Sequence, residues 1–388
     1  MSITAYTGAD IFDGTTRHTG MALLVQDGMV AGIGAVPAGA TIHALSGGLI
    51  APGFVDLQVN GGGGVMFNDD QSVATLKTIA QAHASLGTTA LLPTLITDTP
   101  ARLAAAIDAV EQAIDLDIAG IIGMHVEGPH LSVARKGAHD PDLIRPMRDA
   151  DLALLLDAAT RLPHLMVTVA PENVTLAQIE TLTGAGVIIS LGHTDASYVM
   201  CKAAAEAGAT CATHLFNAMS QMTGREPGLV GATLETGTLN AGLIADGIHV
   251  SATSIRVALN AKQGPGAVFL ITDAMATVGS DITEFTLNGR TIYRRDGRLT
   301  LEDGTLAGAD LDMPTALRFM VDTVGVPVDA ALAMATAAPA HVIGAAPFGG
   351  LTMGGAASFV HLDAALELQN VWQNGEVLRR LTASPHPL

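Results

Sequence analysis

The stretch "PGFVDLQVNGGGG" (Pro52–Gly64) carries an apolar run that closes on Gln58-Val59-Asn60 and then breaks into glycines. A buried strand that ends in polar side chains and enters a turn reads this way. It belongs to the first of eight comparable runs: Leu49–Val59, Thr88–Leu95, Ile118–Glu127, His164–Ala170, Val187–His193, Ala209–His214, Ala241–His249 and Ala267–Asp273. Between most of them lie Ala- and Leu-rich segments of helical length, namely Val73–Leu86, Ala101–Ile114, Ala150–Arg161, Ala196–Ala207 and Thr253–Ala261. Strands alternating with helices eight times over predict an α/β fold, a (β/α)8 TIM-like barrel. A doubly wound open sheet is the alternative topology, but no Gly-x-Gly-x-x-Gly follows a strand to support it.

The ends of the chain read differently. "GMALLVQDGMVAGIG" and the segment around Asn374-Gly375 are hairpin patterns, with Asp-Gly and Asn-Gly as two-residue turns. The two β-rich ends are therefore expected to pair into one small β-sandwich domain, from 1–51 and 345–388, flanking a barrel over 52–344. Residues 280–309 break the alternation, and Asn288-Gly289 and Asp296-Gly297 mark hairpins inserted over the mouth of the barrel.

The formal charge of −18 argues against a nucleic-acid or anionic-membrane partner. An anionic small substrate would need a few cations placed locally against that field. Two cysteines, Cys201 and Cys211, make no disulfide framework and read as small buried hydrophobes. The opening residues show no basic-then-apolar leader and no run reaches membrane-spanning length, so the expectation is a soluble cytoplasmic protein.

Metal-capable side chains recur where the apolar runs stop: Glu127, His193, His214, His249 and Asp273. Barrel strands point their C-terminal ends at one face, so these five should converge. Two imidazoles and a carboxylate suit Zn²⁺ and leave a coordination position for water, which then deprotonates near neutral pH. A leftover carboxylate, Asp273, can take that proton and return it to a departing amine. The residues alone thus reach metal-assisted hydrolysis of a C–N bond.

A resemblance sharpens this. "PGFVDLQVNGGGG", "HVEGPHL", "KGAH", "SLGHTDA", "THLFNAM", "TGREPG", "DGIH" and "TDAM" stand here in the order seen in N-acetylglucosamine-6-phosphate deacetylases of the amidohydrolase superfamily. The likeness runs from about Pro52 to Met313, and the β-rich ends resemble that family's small β-sandwich. It implies removal of acetate from N-acetylglucosamine 6-phosphate, in amino-sugar catabolism or cell-wall sugar recycling. By matched motif, Glu127, His193 and His214 hold the metal and Asp273 is the acid/base. His139 contacts the substrate near the scissile amide, with Ala138 beside it. Asn217 and Ala218 hold the sugar phosphate, His249 is another substrate contact, and Leu306, Ala307 and Gly308 close over the substrate. Arg225 reaches the phosphate in a neighbouring subunit, which implies a homodimer; pairing with Glu226 is the plainer reading of that arginine.

Superfamily enzymes often carry His-x-His where this chain has Gln58-Val59-Asn60. Members resembling this sequence bind one metal rather than two, and a neutral amide is a weak Zn²⁺ ligand. One divalent ion per subunit is therefore expected, Zn²⁺ first, with Fe²⁺, Mn²⁺ or Co²⁺ able to occupy the same ligands. His125 could reach a second site or be structural. The glycine run is expected to be a flexible rim loop. The sequence departs from the family at Ala309, Asp312 and Ser358. Alternative functions are the galacto-configured substrate, N-acetylgalactosamine 6-phosphate, and a non-catalytic sugar-phosphate-binding relative.

Overall fold

The structure is a computed structural model and describes residues 2–378; the last ten residues of the expected 345–388 segment, and Met1, lie outside them. Eight parallel strands stand in sequence order in one sheet: Phe54–Val59, Thr88–Ile96, Met124–Glu127, Leu165–Val169, Ile188–Leu191, Cys211–Ala212, Asn240–Ile244 and Val268–Ile271. Each strand is buried almost throughout, as a layer covered on both faces requires.

The ring closes between the first and eighth strands with few ladder bonds. Asp273 N donates to Gln58 O at 3.0 Å and Asn60 N to Ala274 O at 2.9 Å. Below them a side chain takes over the pairing. Asp56, fully buried, accepts from the backbone of Gln58 and Thr272 at 3.2 Å each, and its other oxygen meets the Thr272 hydroxyl. The seam therefore lies directly behind two strand ends that carry polar site residues.

Helices follow the strands, and their starts are set by capping side chains. Ser72, Thr99, Thr175, Ser197 and Ser251 each accept a backbone N–H from the first turn of the helix that follows. Pro100 opens the second helix, where its missing N–H costs nothing. Asp312, one of the departures from the family pattern, caps the helix Met313–Arg318 by accepting from Thr315 N at 2.8 Å, so it does a hydroxyl's work there. Cys201 and Cys211 are free and buried.

Both chain ends build a β-sandwich. One sheet has four strands from residues 4–44; the other has six, pairing Leu49–Pro52 with Phe359–Leu362. Phe359 stacks on Trp372 at 4.5 Å, and Tyr6 meets both edge-on, so N- and C-terminal segments share one core. The four hairpin turns at Asp27-Gly28, Asn288-Gly289, Asp296-Gly297 and Asn374-Gly375 form where the dipeptides predict.

Two expectations need correction. The run Leu49–Val59 is not one strand: Leu49–Pro52 belongs to the sandwich and Phe54–Val59 to the barrel. The chain crosses at Gly53, where a Cβ would lie 2.0 Å from the Thr89 hydroxyl. The glycine run is a hairpin rather than a loose rim, with Gly61–Gly62 paired to Val65–Met66 and Gly63 N bonded to Val278 O at 2.7 Å.

Candidate active site

Glu127 ends the third barrel strand; His193, His214 and Asp273 each lie two residues past the ends of the fifth, sixth and eighth strands. All three of the latter have positive φ, at 45°, 31° and 52° respectively. Left-handed backbone is uncommon for residues with a Cβ and costs on the order of 1 kcal/mol or more each. It turns the three side chains inward over the barrel axis. Ala218 (φ 45°) and Phe216 (φ 78°) add to the cluster on the following loop.

The convergence is tight. Glu127 Oε1 lies 3.1 Å from His193 Nε2 and 3.1 Å from His214 Nε2, and those two nitrogens are 3.0 Å apart. The Nδ1 of His193 faces the Arg135 carbonyl at 2.8 Å. A carbonyl only accepts, so the proton sits on Nδ1 and a lone pair on Nε2 points at the other two groups. His214 Nδ1 has no partner among the described residues. Three donors with edges near 3 Å are close in size to one face of a tetrahedral shell with bonds of about 2.0–2.1 Å, so they fit a divalent cation. His139 stands beside them: its Nε2 is 3.9 Å from Glu127 Oε2, and one ligand atom each of Glu127, His139 and His193 fall within 4.8 Å of one another. His214 makes the closer contacts and is the better third donor.

Gln58 and Asn60 occupy the other side. Gln58 Nε2 bridges Glu127 Oε1 and Asp273 Oδ1 at 3.2 Å each, and Asn60 Nδ2 donates to Asp273 Oδ1 at 2.7 Å. His125 turns away from this cluster, bonding Leu57 O and the Thr168 hydroxyl inside the barrel, and burial pushes its pKa down to about 4.

Burial and the neighbouring Glu127 charge push Asp273 up to about 6, against the pull of His214 and Asn60. Burial also opposes ionisation of Glu127, but the imidazoles of His193 and His214 set against it outweigh that cost and hold the carboxyl well below its usual range. Two carboxylates in one site are thus driven apart, one fixed as an anion and one able to exchange a proton near neutrality. His139 is pushed down to about 3 by burial and the adjacent His193, so its ring is neutral.

These groups line a cavity of about 380 Å³. Glu127, Ala138, His139, His193, His214, Asn217, Ala218, His249, Asp273, Leu306 and Gly308 reach it. Ala307 does not; it is buried in the small core under the inserted sheet, with Leu287 and Leu299. Arg225 does not either. It lies exposed on the loop before Gly228, and Glu226 is taken up by the backbone N–H groups of Tyr198 and Gly228. His249 is oriented by Asp246, whose carboxylate accepts from Nδ1 at 2.6 Å. The insertion covers the mouth as expected: its strands Glu284–Leu287, Arg290–Arg295 and Arg298–Thr300 put Leu287 on the cavity, and Arg290 donates to the Ala138 carbonyl.

Sequence reasoning missed Arg135, Met275 and Thr305 as cavity residues, and Thr97 behind His139. Thr97 follows the second barrel strand, Thr88–Ile96, as Glu127 ends the third; its hydroxyl drew no notice because no metal-capable group was there.

The amidohydrolase family pattern matches residues 49–381. The chain belongs to the amidohydrolase family. An N-acetylgalactosamine-6-phosphate deacetylase of Shewanella sp. (strain ANA-3) is 42% identical over 94% of this chain and 92% of its own. An N-acetylglucosamine-6-phosphate deacetylase of Haemophilus influenzae is 36% identical over 77% of this chain and 78% of its own. The crystal structure of the N-acetylglucosamine-6-phosphate deacetylase of Pasteurella multocida superposes with a TM-score of 0.93 at 35% identity, covering 97% of this chain and 99% of that one. This amidohydrolase is accordingly an enzyme that hydrolyses amide C–N bonds, and its barrel and its sandwich are those that the sequence led one to expect.

Proposed function

We propose that this amidohydrolase removes acetate from N-acetylglucosamine 6-phosphate, giving glucosamine 6-phosphate. The observation that carries the reading is the triangle of Glu127, His193 and His214 facing Asp273 across one cavity. A divalent cation held by those three residues supplies Lewis acidity toward a carbonyl and toward water.

The chain's own residues do the rest. Asp273 accepts the proton of the attacking water and passes it to the departing amine, which its pKa near 6 permits. Asn60 and Gln58 fix the oxygen that receives that proton. His139 donates from Nε2 to the oxygen that becomes anionic. Asn217 and Ala218 hold the phosphate end, His249 contacts the substrate, and the Leu306–Gly308 segment closes over the sugar. Arg225 serves the site of a second copy, in a homodimer. An arginine fork suits a phosphate, and in so acidic a protein a fixed cation is needed. Zn²⁺ matches the nitrogen and oxygen donors, and Fe²⁺, Mn²⁺ or Co²⁺ fit the same set. No helix among the described residues is long and apolar enough to cross a membrane, in keeping with a cytoplasmic setting.

The galacto-configured substrate is a second reading. It is favoured by the 42% identity to a relative named N-acetylgalactosamine-6-phosphate deacetylase. Acetate release from both phosphosugars and from unphosphorylated N-acetylglucosamine tests the proposal. Fast release from N-acetylglucosamine 6-phosphate and none from the plain sugar is expected. Preference for the galacto epimer would move the assignment to the second reading, and release from neither phosphosugar would refute both.

A further inference from the structure

The cavity has two chemically distinct ends. Asn217 and Ala218, after the sixth barrel strand, and His249, after the seventh, put polar groups on one side. Ile96, at the end of the second strand, Met275, after the eighth, and Leu287, from the inserted sheet, form an apolar wall on the other. In a ring of eight, the second strand stands across from the sixth. The wall also borders the reacting groups: Met275 lies two residues beyond Asp273, and Ile96 immediately precedes Thr97, whose hydroxyl is 2.8 Å from the His139 ring.

Each part of the wall is pinned from behind. Asn68, fully buried, grips the Ile96 backbone, accepting from its N–H and donating to its carbonyl at 3.1 Å each. Met275 packs against Gly308 (φ 62°), where a Cβ would lie 2.5 Å from Met275 Cγ, so the glycine leaves the methionine its place. Leu287 pairs with Arg290 across the Asn288-Gly289 turn, and Arg290 donates to the Ala138 carbonyl. All three side chains share one core with Leu299 and Ala307. Ile96 is 6% exposed, Met275 2% and Leu287 0%, so the wall is a shallow face with its bulk packed behind it. Such a face does not yield to a longer guest without repacking.

An amide carbonyl carbon carries an oxygen, a nitrogen and an alkyl chain. With the oxygen beside the cation and His139, and the nitrogen leading to the sugar and its phosphate, the chain is left facing the wall. We propose that Ile96, Met275 and Leu287 form the acyl subsite and determine specificity there, admitting a two-carbon acyl group and rejecting longer ones. This rests on the deacetylase reading. Water supplies the new C–O bond and the amine leaves with the proton at any acyl length, so only the fit of the chain differs.

The test compares kcat/KM of full-length, Zn²⁺-loaded protein on the N-acetyl, N-propionyl and N-butyryl forms of glucosamine 6-phosphate and of galactosamine 6-phosphate, read in the series cleaved faster. One methylene in an apolar pocket discriminates by roughly 10- to 200-fold, so wild type should lose about tenfold or more with each added carbon. Met275→Ala and Ile96→Ala should each raise the propionyl-to-acetyl ratio about tenfold or more. Asn217→Ala, at the polar end, should lower the three values together and leave the ratio unmoved. Leu287→Ala, in the inserted sheet, takes the place of either variant that does not fold. Equal cleavage of all three acyl forms by wild type overturns the proposal, as does a ratio that the folded wall variants leave unmoved. Acetate release with unmoved ratios removes the wall and keeps the deacetylase reading; no release from any of the six compounds removes both.

Discussion

Asn60 Nδ2 donates to Asp273 Oδ1 at 2.7 Å across the seam where the barrel closes. Its amide thus holds the carboxylate that is proposed as the proton carrier. Asn60 favours the ionised form of Asp273, against burial that raises its pKa. Loss of a hydrogen bond to a charged acceptor costs roughly 1.5 kcal/mol, about one pKa unit. Asn60→Ala should therefore move the acidic limb of the kcat–pH profile upward by about one unit. A limb that stays in place would show that Asn60 does not tune the proton carrier.

Asp273→Asn keeps the shape of the side chain and removes its basicity. Metal content and substrate affinity should persist while kcat falls by a factor on the order of 10³ or more. Single-turnover acetate release measures it directly. Turnover near the wild-type rate would exclude Asp273 as the acid/base.

Asp56 makes a prediction about stability rather than rate. Burial pushes its pKa up to about 7 in the folded protein, partly offset by hydrogen bonds from Thr272 and Gln58. The folded state thus holds a proton that the unfolded chain releases near pH 4. The resulting stabilisation is complete below that pH and is lost as pH rises through the folded value near 7. Asp56→Asn keeps both backbone bonds at its oxygen and donates to the Thr272 hydroxyl where the second oxygen stood, without titrating. Its urea midpoint should gain on that of wild type between about pH 4 and about pH 7, and a constant difference across that range would contradict the assignment.

Arg225 lies exposed and off its own chain's cavity, so its role must be read in a mixture. Arg225→Ala should raise KM for the phosphorylated sugar. Subunit exchange between Arg225→Ala and Asp273→Asn proteins should restore turnover at low substrate that neither has alone, because one site of each hybrid dimer is intact. No recovery in verified hybrids would refute the shared site.

The strand-end positions were legible in the sequence because five of the eight apolar runs stop at a metal-capable residue, and the hairpins because Asn-Gly and Asp-Gly set their turns. Other features were hidden for physical reasons. Leu49–Val59 is apolar on both sides of Gly53, so only the approach of Thr89 reveals that two sheets divide it. The helix Gly228–Glu235 is buried nearly all round and shows no polar face to mark its period. The bonds from Asn60 to Asp273 and from Asp56 to Thr272 join residues at opposite ends of the barrel sequence, and only closure of the ring brings them together. Thr97 and Arg135 act on site histidines through a hydroxyl and a carbonyl, which no motif records.

The most direct measurement is a titration of metal-stripped protein with Zn²⁺, following bound metal and acetate release from N-acetylglucosamine 6-phosphate together. With Glu127, His193 and His214 as the ligands and amides at positions 58 and 60, activity should rise in proportion to metal and reach its plateau at one ion per chain. A plateau at two ions, or turnover that persists without metal, would contradict the single-metal account.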